Sequence, residues 1–219
     1  MKLIILEGPD NVGKTYLSKV FTNFLKKFTS YKVRSIHFPS EDLCASKEFQ
    51  ALLKPHTGIK IEKKFIDILI KEEQRALNKA KSDGVNIFVI DRMMLSSMAY
   101  QGKKSPKMME YILRRYGQLF IDCDIRVSDI SHHILMTEMG KENDVSNVTK
   151  REFDEKNIEF RNSYKEILYR ISVNSIRSSF LENTYVYDFD RIIANDVVSE
   201  FEKEIITIKM IQDLMKFIK

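Results

Sequence analysis

The apolar positions of the chain fall into short unbroken runs separated by stretches in which they recur every three or four residues. Leu3 to Leu6 form the first run, a buried strand stopped by Glu7, and "GKTYLSKVFTNFLKKF" then repeats apolar residues at helical spacing through Leu17, Val20, Phe21, Phe24, Leu25 and Phe28. "YKVRSIHFP" is a second strand closed by Pro39, and helical patterns follow over roughly 44–54 and 60–82, the latter ended by "SDG". "VNIFVID" is a third strand. After it, "RMMLSSMAYQG" and "PKMMEYILRRYGQLF" have helical periodicity, with Pro106 acceptable in a first turn. "HHILMTEM" is the choice for a fourth strand, with "CDIRVSD" competing, and the polar "GKENDVSNVTK" is a candidate flap before a long helix from about Arg151 to Ile171. "TYVYDFD" makes a fifth strand, and the tail from about Asn195 closes as helix. Strands alternating with helices predict an α/β fold, a parallel sheet covered on both faces. No repeat or low-complexity linker divides the sequence.

Composition narrows this picture modestly. A chain of 219 residues that is 43% hydrophobic suits one compact domain with a mobile insertion. The 36 Lys and Arg against 31 Asp and Glu leave a net charge of +5 without a dense basic block, which favours small anionic ligands over nucleic acid. Cys44 and Cys123 are isolated, so neither a disulfide framework nor a zinc site is implied, and a reducing compartment fits. The N-terminal apolar run is too short for a signal or a membrane span, which gives a cytoplasmic expectation with no membrane partner. The basic tail "IKMIQDLMKFIK" has its ordinary explanation in an amphipathic closing helix.

Chemistry enters between the first strand and the first helix. Gly8-Pro9-Asp10-Asn11-Val12-Gly13-Lys14-Thr15 satisfies G-x-x-x-x-G-K-[ST] in the strand-to-helix context that the motif requires. Its glycines let backbone N–H groups turn inward, and the helix N-terminus adds partial positive charge. Lys14 is expected at the β and γ phosphates of a bound nucleotide, and the Thr15 hydroxyl at magnesium. A guanine-reading N-K-x-D segment is lacking, because Asn78-Lys79-Ala80-Lys81 has Lys where the carboxylate belongs.

The segment at the end of the third strand is more telling. Asp91-Arg92, Ser96 and Ala99-Tyr100-Gln101-Gly102 stand where open α/β sheets place their ligands, and together they resemble the D-R-x-x-x-S-x-x-A-Y-Q-G signature of thymidylate kinases. Glu7-Gly8 with Asp10, the Phe38-Pro39 turn and "FDEKNIEFRNSYKEI" resemble that family's acidic phosphate loop, F-P turn and post-lid helix, in order, from residue 3 to about 170. The resemblance implies a three-layer P-loop NTPase fold with a five-stranded parallel sheet, residues 1–219 forming one nucleoside monophosphate kinase domain with a lid at about 139–151. It further implies transfer of the γ-phosphoryl of ATP, with Mg2+, to a pyrimidine deoxynucleoside monophosphate, dTMP foremost, in a homodimer. Carried over by position, Arg92 grips the acceptor phosphate, Asp10 approaches the deoxyribose 3′-hydroxyl, Gln101 helps to read the base, and Tyr100 shapes the pocket with Phe38, Pro39 and Ser96. Asp91 orders the magnesium shell through water.

Three positions depart from the family pattern. Glu41 stands where the F-P-x-R turn has a phosphate-binding arginine, with Lys47 a substitute cation nearby. Asn11 holds the loop position of a catalytic arginine, leaving Lys141, Lys150 and Arg151 in the lid, of which Lys141 and Arg151 are the candidates. The F-x-x-x-R pattern that reads thymine has no clean counterpart, since Phe65, Lys71 and Arg75 are spaced differently, and the choice among thymine, uracil and a modified pyrimidine stays open. The rival readings are a deoxynucleoside kinase using Glu41 as general base and an ATP-binding module without catalysis. His37, His56, His132 and His133 have no Cys, Ser or carboxylate at a spacing that suggests a metal site or triad.

Overall fold

The computed structural model describes residues 1–9, 12–53, 59–135, 147–173, 179–187 and 200–218. Among them five strands form one parallel sheet: β1 (Lys2–Glu7), β2 (Val33–His37), β3 (Ile87–Asp91), β4 (Ile130–Leu135) and β5 (Thr184–Tyr187), in the order β2-β3-β1-β4-β5. Eight α-helices accompany them among the described residues: α1 (Lys14–Phe28), α2 (Glu41–Ala45), α3 (Lys47–Leu53), α4 (Ile59–Ser82), α5 (Met94–Tyr100), α6 (Pro106–Asp122), α7 (Asn147–Ser172) and α8 (Glu200–Ile218).

The apolar runs are unbroken because both sheet faces are covered. Leu3 and Ile5 of β1 with Phe88 and Ile90 of β3 face one core, shared with Ile66 and Ile70 of α4, Met98 of α5, Ile112 of α6 and Tyr164 of α7. Ile4 and Leu6 with Ile87 and Val89 face the other, against Leu17, Phe21 and Leu25 of α1 and Met210 and Leu214 of α8. The period of two along each strand thus feeds two separate cores. None of the helices of the described residues is long and apolar enough to cross a membrane.

Several local expectations change. The single helix expected over roughly 44–54 is two, because Ser46 is extended (φ −69°, ψ 137°) and its hydroxyl accepts from Phe49 N at 3.2 Å, while Ser40 caps α2 by accepting from Leu43 N at 3.2 Å. The competing strand "CDIRVSD" is instead a loop with a 3₁₀ turn at Val127–Asp129, where the Asp129 carboxylate accepts from Arg126 N and Nε. The fourth strand therefore begins at Ile130, and residues 136–139 of the expected run lie outside the described residues. The long helix starts earlier than expected, at Asn147, and takes in the end of the candidate lid, whose residues 139–146 lie outside the described ones.

A polar thread ties β4, β5 and α8 together on the second core face. Tyr187 Oη donates to Asp213 Oδ2 at 3.1 Å, so it accepts from His133 Nδ1 at 3.0 Å, which leaves His133 Nε2 to accept from the Ser131 hydroxyl at 2.9 Å. Burial, with His132 alongside, pushes His133 down to about 3, and burial pushes His132 down to about 4 against the opposing Phe180 carbonyl. Both are neutral in the native state, whereas the unfolded chain takes up protons below about pH 6.5.

Each histidine therefore lowers stability as pH falls from about 6.5 towards 4, by about 1.4 kcal/mol per pH unit; Glu7, whose burial pushes it up to about 6, acts in the opposite sense between about 6 and 4.5. His132→Leu is expected to reduce the acid sensitivity of urea unfolding between pH 6 and 4.5 by that one-proton slope. An unchanged slope would mean that His132 takes up its proton without unfolding.

Candidate active site

The carboxyl ends of β1 and β3 converge on a few polar groups. Glycine is required at both ends of the loop that leaves β1: Gly13 has φ 83°, and at Gly8 (φ 137°) a Cβ would meet the Leu135 carbonyl oxygen at 2.1 Å. Lys14 opens α1, is 5% exposed, and donates from Nζ to the Pro9 carbonyl. Val12 is fully buried in the second core and anchors the loop from below. Asp10 and Asn11 lie outside the described residues.

Thr15 and Asp91 join the loop to β3. The Thr15 hydroxyl donates to Asp91 Oδ2 at 2.7 Å, and His37 Nδ1 lies 3.1 Å from the same oxygen. Asp91 Oδ1 is buried without a hydrogen-bond partner. Burial alone would raise the Asp91 carboxyl, but the hydrogen bonds from His37 and Thr15 and the Lys14 charge together hold it below its ordinary range. It is a carboxylate with one oxygen to spare, next to a hydroxyl, and such oxygens suit a hard divalent cation. The sequence offers no carboxylate to His37, and here the structure corrects that reading: the parallel register of β2 and β3 sets His37 opposite Asp91, 54 residues away along the chain.

The next residue, Arg92, has φ 72°, a left-handed conformation uncommon for a side chain with a Cβ. Its N–H donates to the Leu6 carbonyl at 2.9 Å, which pins the turn to β1. Its guanidinium Nη1 donates to Tyr100 Oη at 2.9 Å, one helix length away on α5. Tyr100 in turn packs on Phe160 of α7, the ring centroids 4.0 Å apart and the planes tilted by 37°.

Glu7 sets the position of α5. Fully buried at the end of β1, its Oε1 accepts from the backbone N–H of Met93 (3.1 Å) and Leu95 (3.0 Å), and its Oε2 from Ser96 N (3.0 Å) and the Ser96 hydroxyl. Tyr164 of α7 completes the cluster, 2.8 Å from Ser96 Oγ and 3.4 Å from Glu7 Oε2. A carboxylate on the first N–H groups of a helix takes the place of an N-cap side chain, supplied here from another strand. Burial pushes its carboxyl up to about 6 although Ser96, the nearby Arg92 charge and the N–H groups of Leu95 and Met93 pull it down.

Phe38, Pro39, Arg92, Ser96, Tyr100 and Gln101 line a single cavity of about 220 Å³. The Phe38-Pro39 peptide is cis, and Phe38 N donates to the Asp91 carbonyl at 2.9 Å, which brings the turn after β2 over the end of β3. Phe65, Leu69 and Glu73 of α4, with Met93 and Ser97, complete the wall. Glu73 and Ser97 have no counterpart in the sequence reading; they sit among core residues of their helices, and only the cavity reveals them. Phe65, ambiguous from sequence, both lines the cavity and stacks on Phe49 at 4.9 Å.

Other candidates fall elsewhere. Glu41 is the exposed first residue of α2 and is absent from the cavity wall, as is exposed Lys47 of α3. Lys71 and Arg75 lie on the exposed side of α4. Lys141 lies outside the described residues, and Arg151 falls within α7 but its side chain is outside the described set. Among the described residues no cluster of three His, Cys, Asp or Glu could hold a metal ion by itself.

Comparison with known proteins agrees with this fold. The family described as thymidylate kinase matches residues 6–184. Among solved structures, thymidylate kinase from Ehrlichia chaffeensis superposes with a TM-score of 0.55 at 18% identity, over 97% of this chain and 98% of that one. No curated protein matches the chain.

Glu7→Ala would strand the N–H groups of Met93, Leu95 and Ser96 in the interior and open a cavity beside them. The expected cost is about 3 kcal/mol or more in urea unfolding at pH 7. A loss below about 1 kcal/mol would mean that the helix terminus finds other acceptors.

Proposed function

The chain belongs to the thymidylate kinase family, and from that premise we propose that it transfers the γ-phosphoryl of ATP to a pyrimidine deoxynucleoside monophosphate, dTMP foremost, giving the diphosphate. The observation that carries this reading is the junction at Asp91-Arg92. One residue faces the phosphate loop through Thr15, and the next faces the cavity lined by Tyr100 and Gln101.

In this reading the loop Gly8 to Thr15 holds the donor phosphates with its backbone N–H groups, and Lys14 leaves the Pro9 carbonyl for the β and γ phosphates. The Thr15 hydroxyl and Asp91, directly or through water, are the residues that would hold magnesium. When bound, that ion neutralises charge on the donor phosphates. Arg92 meets the acceptor phosphate in a two-pronged, charge-assisted pair, its guanidinium already oriented by Tyr100. The acceptor is largely ionised at neutral pH, its second pKa lying near 6, so the site positions and neutralises rather than abstracting a proton.

The exposed position of Glu41 gives no support to a hydroxyl acceptor. Asp10 at the sugar, and Lys141 or Arg151 at the transferred group within a lid, complete the proposal from the family likeness.

Coupled assays of ATP consumption over a panel of nucleosides and nucleoside monophosphates are expected to show turnover with dTMP and none with thymidine, and Glu41→Gln should stay within about twofold of wild type. A collapse of kcat by about 10²–10⁴ in that variant with a nucleoside as acceptor would replace this reading with general-base chemistry on a hydroxyl.

Arg92→Lys keeps the charge and the left-handed backbone but loses the paired donors, so kcat/KM for dTMP should fall by about 10- to 100-fold. Unchanged kinetics would make Arg92 a structural partner of Tyr100 only.

A further inference from the structure

The Asp91 side chain is held from two directions. The Thr15 hydroxyl donates to Oδ2 at 2.7 Å from the start of α1, and His37 Nδ1 lies 3.1 Å from the same oxygen at the end of β2. The backbone repeats the second link, because Phe38 N donates to the Asp91 carbonyl at 2.9 Å and the register sets His37 opposite Asp91. Thr15 belongs to the loop and helix that receive a nucleotide, whereas His37 belongs to the sheet.

A carboxylate only accepts hydrogen bonds, so Nδ1 of His37 carries the proton whether the ring is neutral or charged. The contact does not depend on how the imidazole titrates. The terminal torsion of an aspartate is soft, and one donor leaves the carboxylate plane free to turn, while two donors converging on one oxygen fix it. The His37 side chain is 48% exposed against 2% for Asp91, so a substitution at His37 removes a hydrogen bond and opens no hole in either core.

Resting on the function proposed above, we propose that His37 is a positioning residue for the donor side of the reaction: by donating from Nδ1 to Asp91 Oδ2 it fixes the carboxylate in the orientation that, with the Thr15 hydroxyl, holds the cation of the ATP complex. The Thr15 hydroxyl has a second task in that complex, and the link from the sheet holds Asp91 while the loop exchanges partners. Partners of this kind behind a cation-binding group typically set affinity or activity by about 10- to 100-fold. The effect is one-sided. His37 is absent from the wall of the cavity that takes the acceptor, although Phe38 and Pro39 line it.

The test is equilibrium binding of ATP without acceptor, in magnesium and in EDTA, on wild type, His37→Leu and His37→Asn, with KM for ATP and for dTMP measured alongside. Leu and Asn are alike in size, and the Asn amide places an N–H where Nδ1 stood. His37→Leu should weaken ATP binding in magnesium by about tenfold or more and raise KM for ATP, with binding in EDTA and KM for dTMP within about twofold of wild type. His37→Asn should restore both to within about threefold, since it keeps the donor and loses only the ring. A Leu variant that binds ATP in magnesium as wild type does overturns the proposal, as does a loss equal in magnesium and EDTA, a loss confined to dTMP, or an Asn variant as impaired as Leu. Should His37→Leu not fold, His37→Ala takes its place in the comparison with Asn. A wild type active on dTMP with any of these failures removes this inference alone, whereas a wild type that turns over no nucleoside monophosphate removes the function beneath it.

Discussion

A single buried carboxylate at the end of the central strand holds the site together. Glu7 leaves β1 just before the glycine-bounded loop and gathers the backbone N–H groups at the start of α5, so the two segments that frame the candidate site share one anchor. Because the anchor spans a strand, a helix start and Tyr164 of α7, displacement of any one would leave donors unsatisfied in the interior. The left-handed turn at Arg92 is over-determined by the same arrangement: its N–H is held by β1, and the residues after it are held by Glu7.

Three buried carboxyls within this small region have different protonation tendencies, and their partners explain why. Burial raises all three. Asp91 escapes upward displacement because His37, Thr15 and Lys14 outweigh burial, and it remains a carboxylate. Glu7 is intermediate, held at about 6 by the competition between burial and its donors. Glu73, with one hydroxyl donor and two acidic neighbours, is displaced furthest towards the neutral acid. Groups of identical chemistry are thereby set to different protonation tendencies by their partners alone.

Much of this was legible in the sequence because it is encoded locally. The strand-loop-helix around Lys14 and the spacing from Asp91 to Gln101 are read within one element and its neighbour, and the five strands follow from apolar runs between turn residues. What escaped is non-local or disguised. The His37–Asp91 pair depends on the register of two strands, which no spacing in the chain reveals. Glu73 occupies a core position on α4 between Ile70 and Leu77, where one of four acidic residues in a charged helix carries no signal until the cavity beside it is seen. The break at Ser46 was missed because a serine cap resembles a serine within a helix unless the backbone turn is known.

The sheet order has a consequence for the making of the protein. β1 is made before both of its neighbours, β3 and β4, with Leu3 paired to Phe88 on one side and Ile130 on the other. At roughly 5–20 residues per second, the interval before the second neighbour leaves the ribosome is on the order of 10 s. Throughout that interval the run Leu3 to Leu6 can pair on one side at most, with β3, and long-range parallel pairing of this kind is slow to form once it becomes available. The central strand of the finished enzyme therefore waits in the nascent chain for both of its neighbours, and is a natural substrate for chaperone capture during translation.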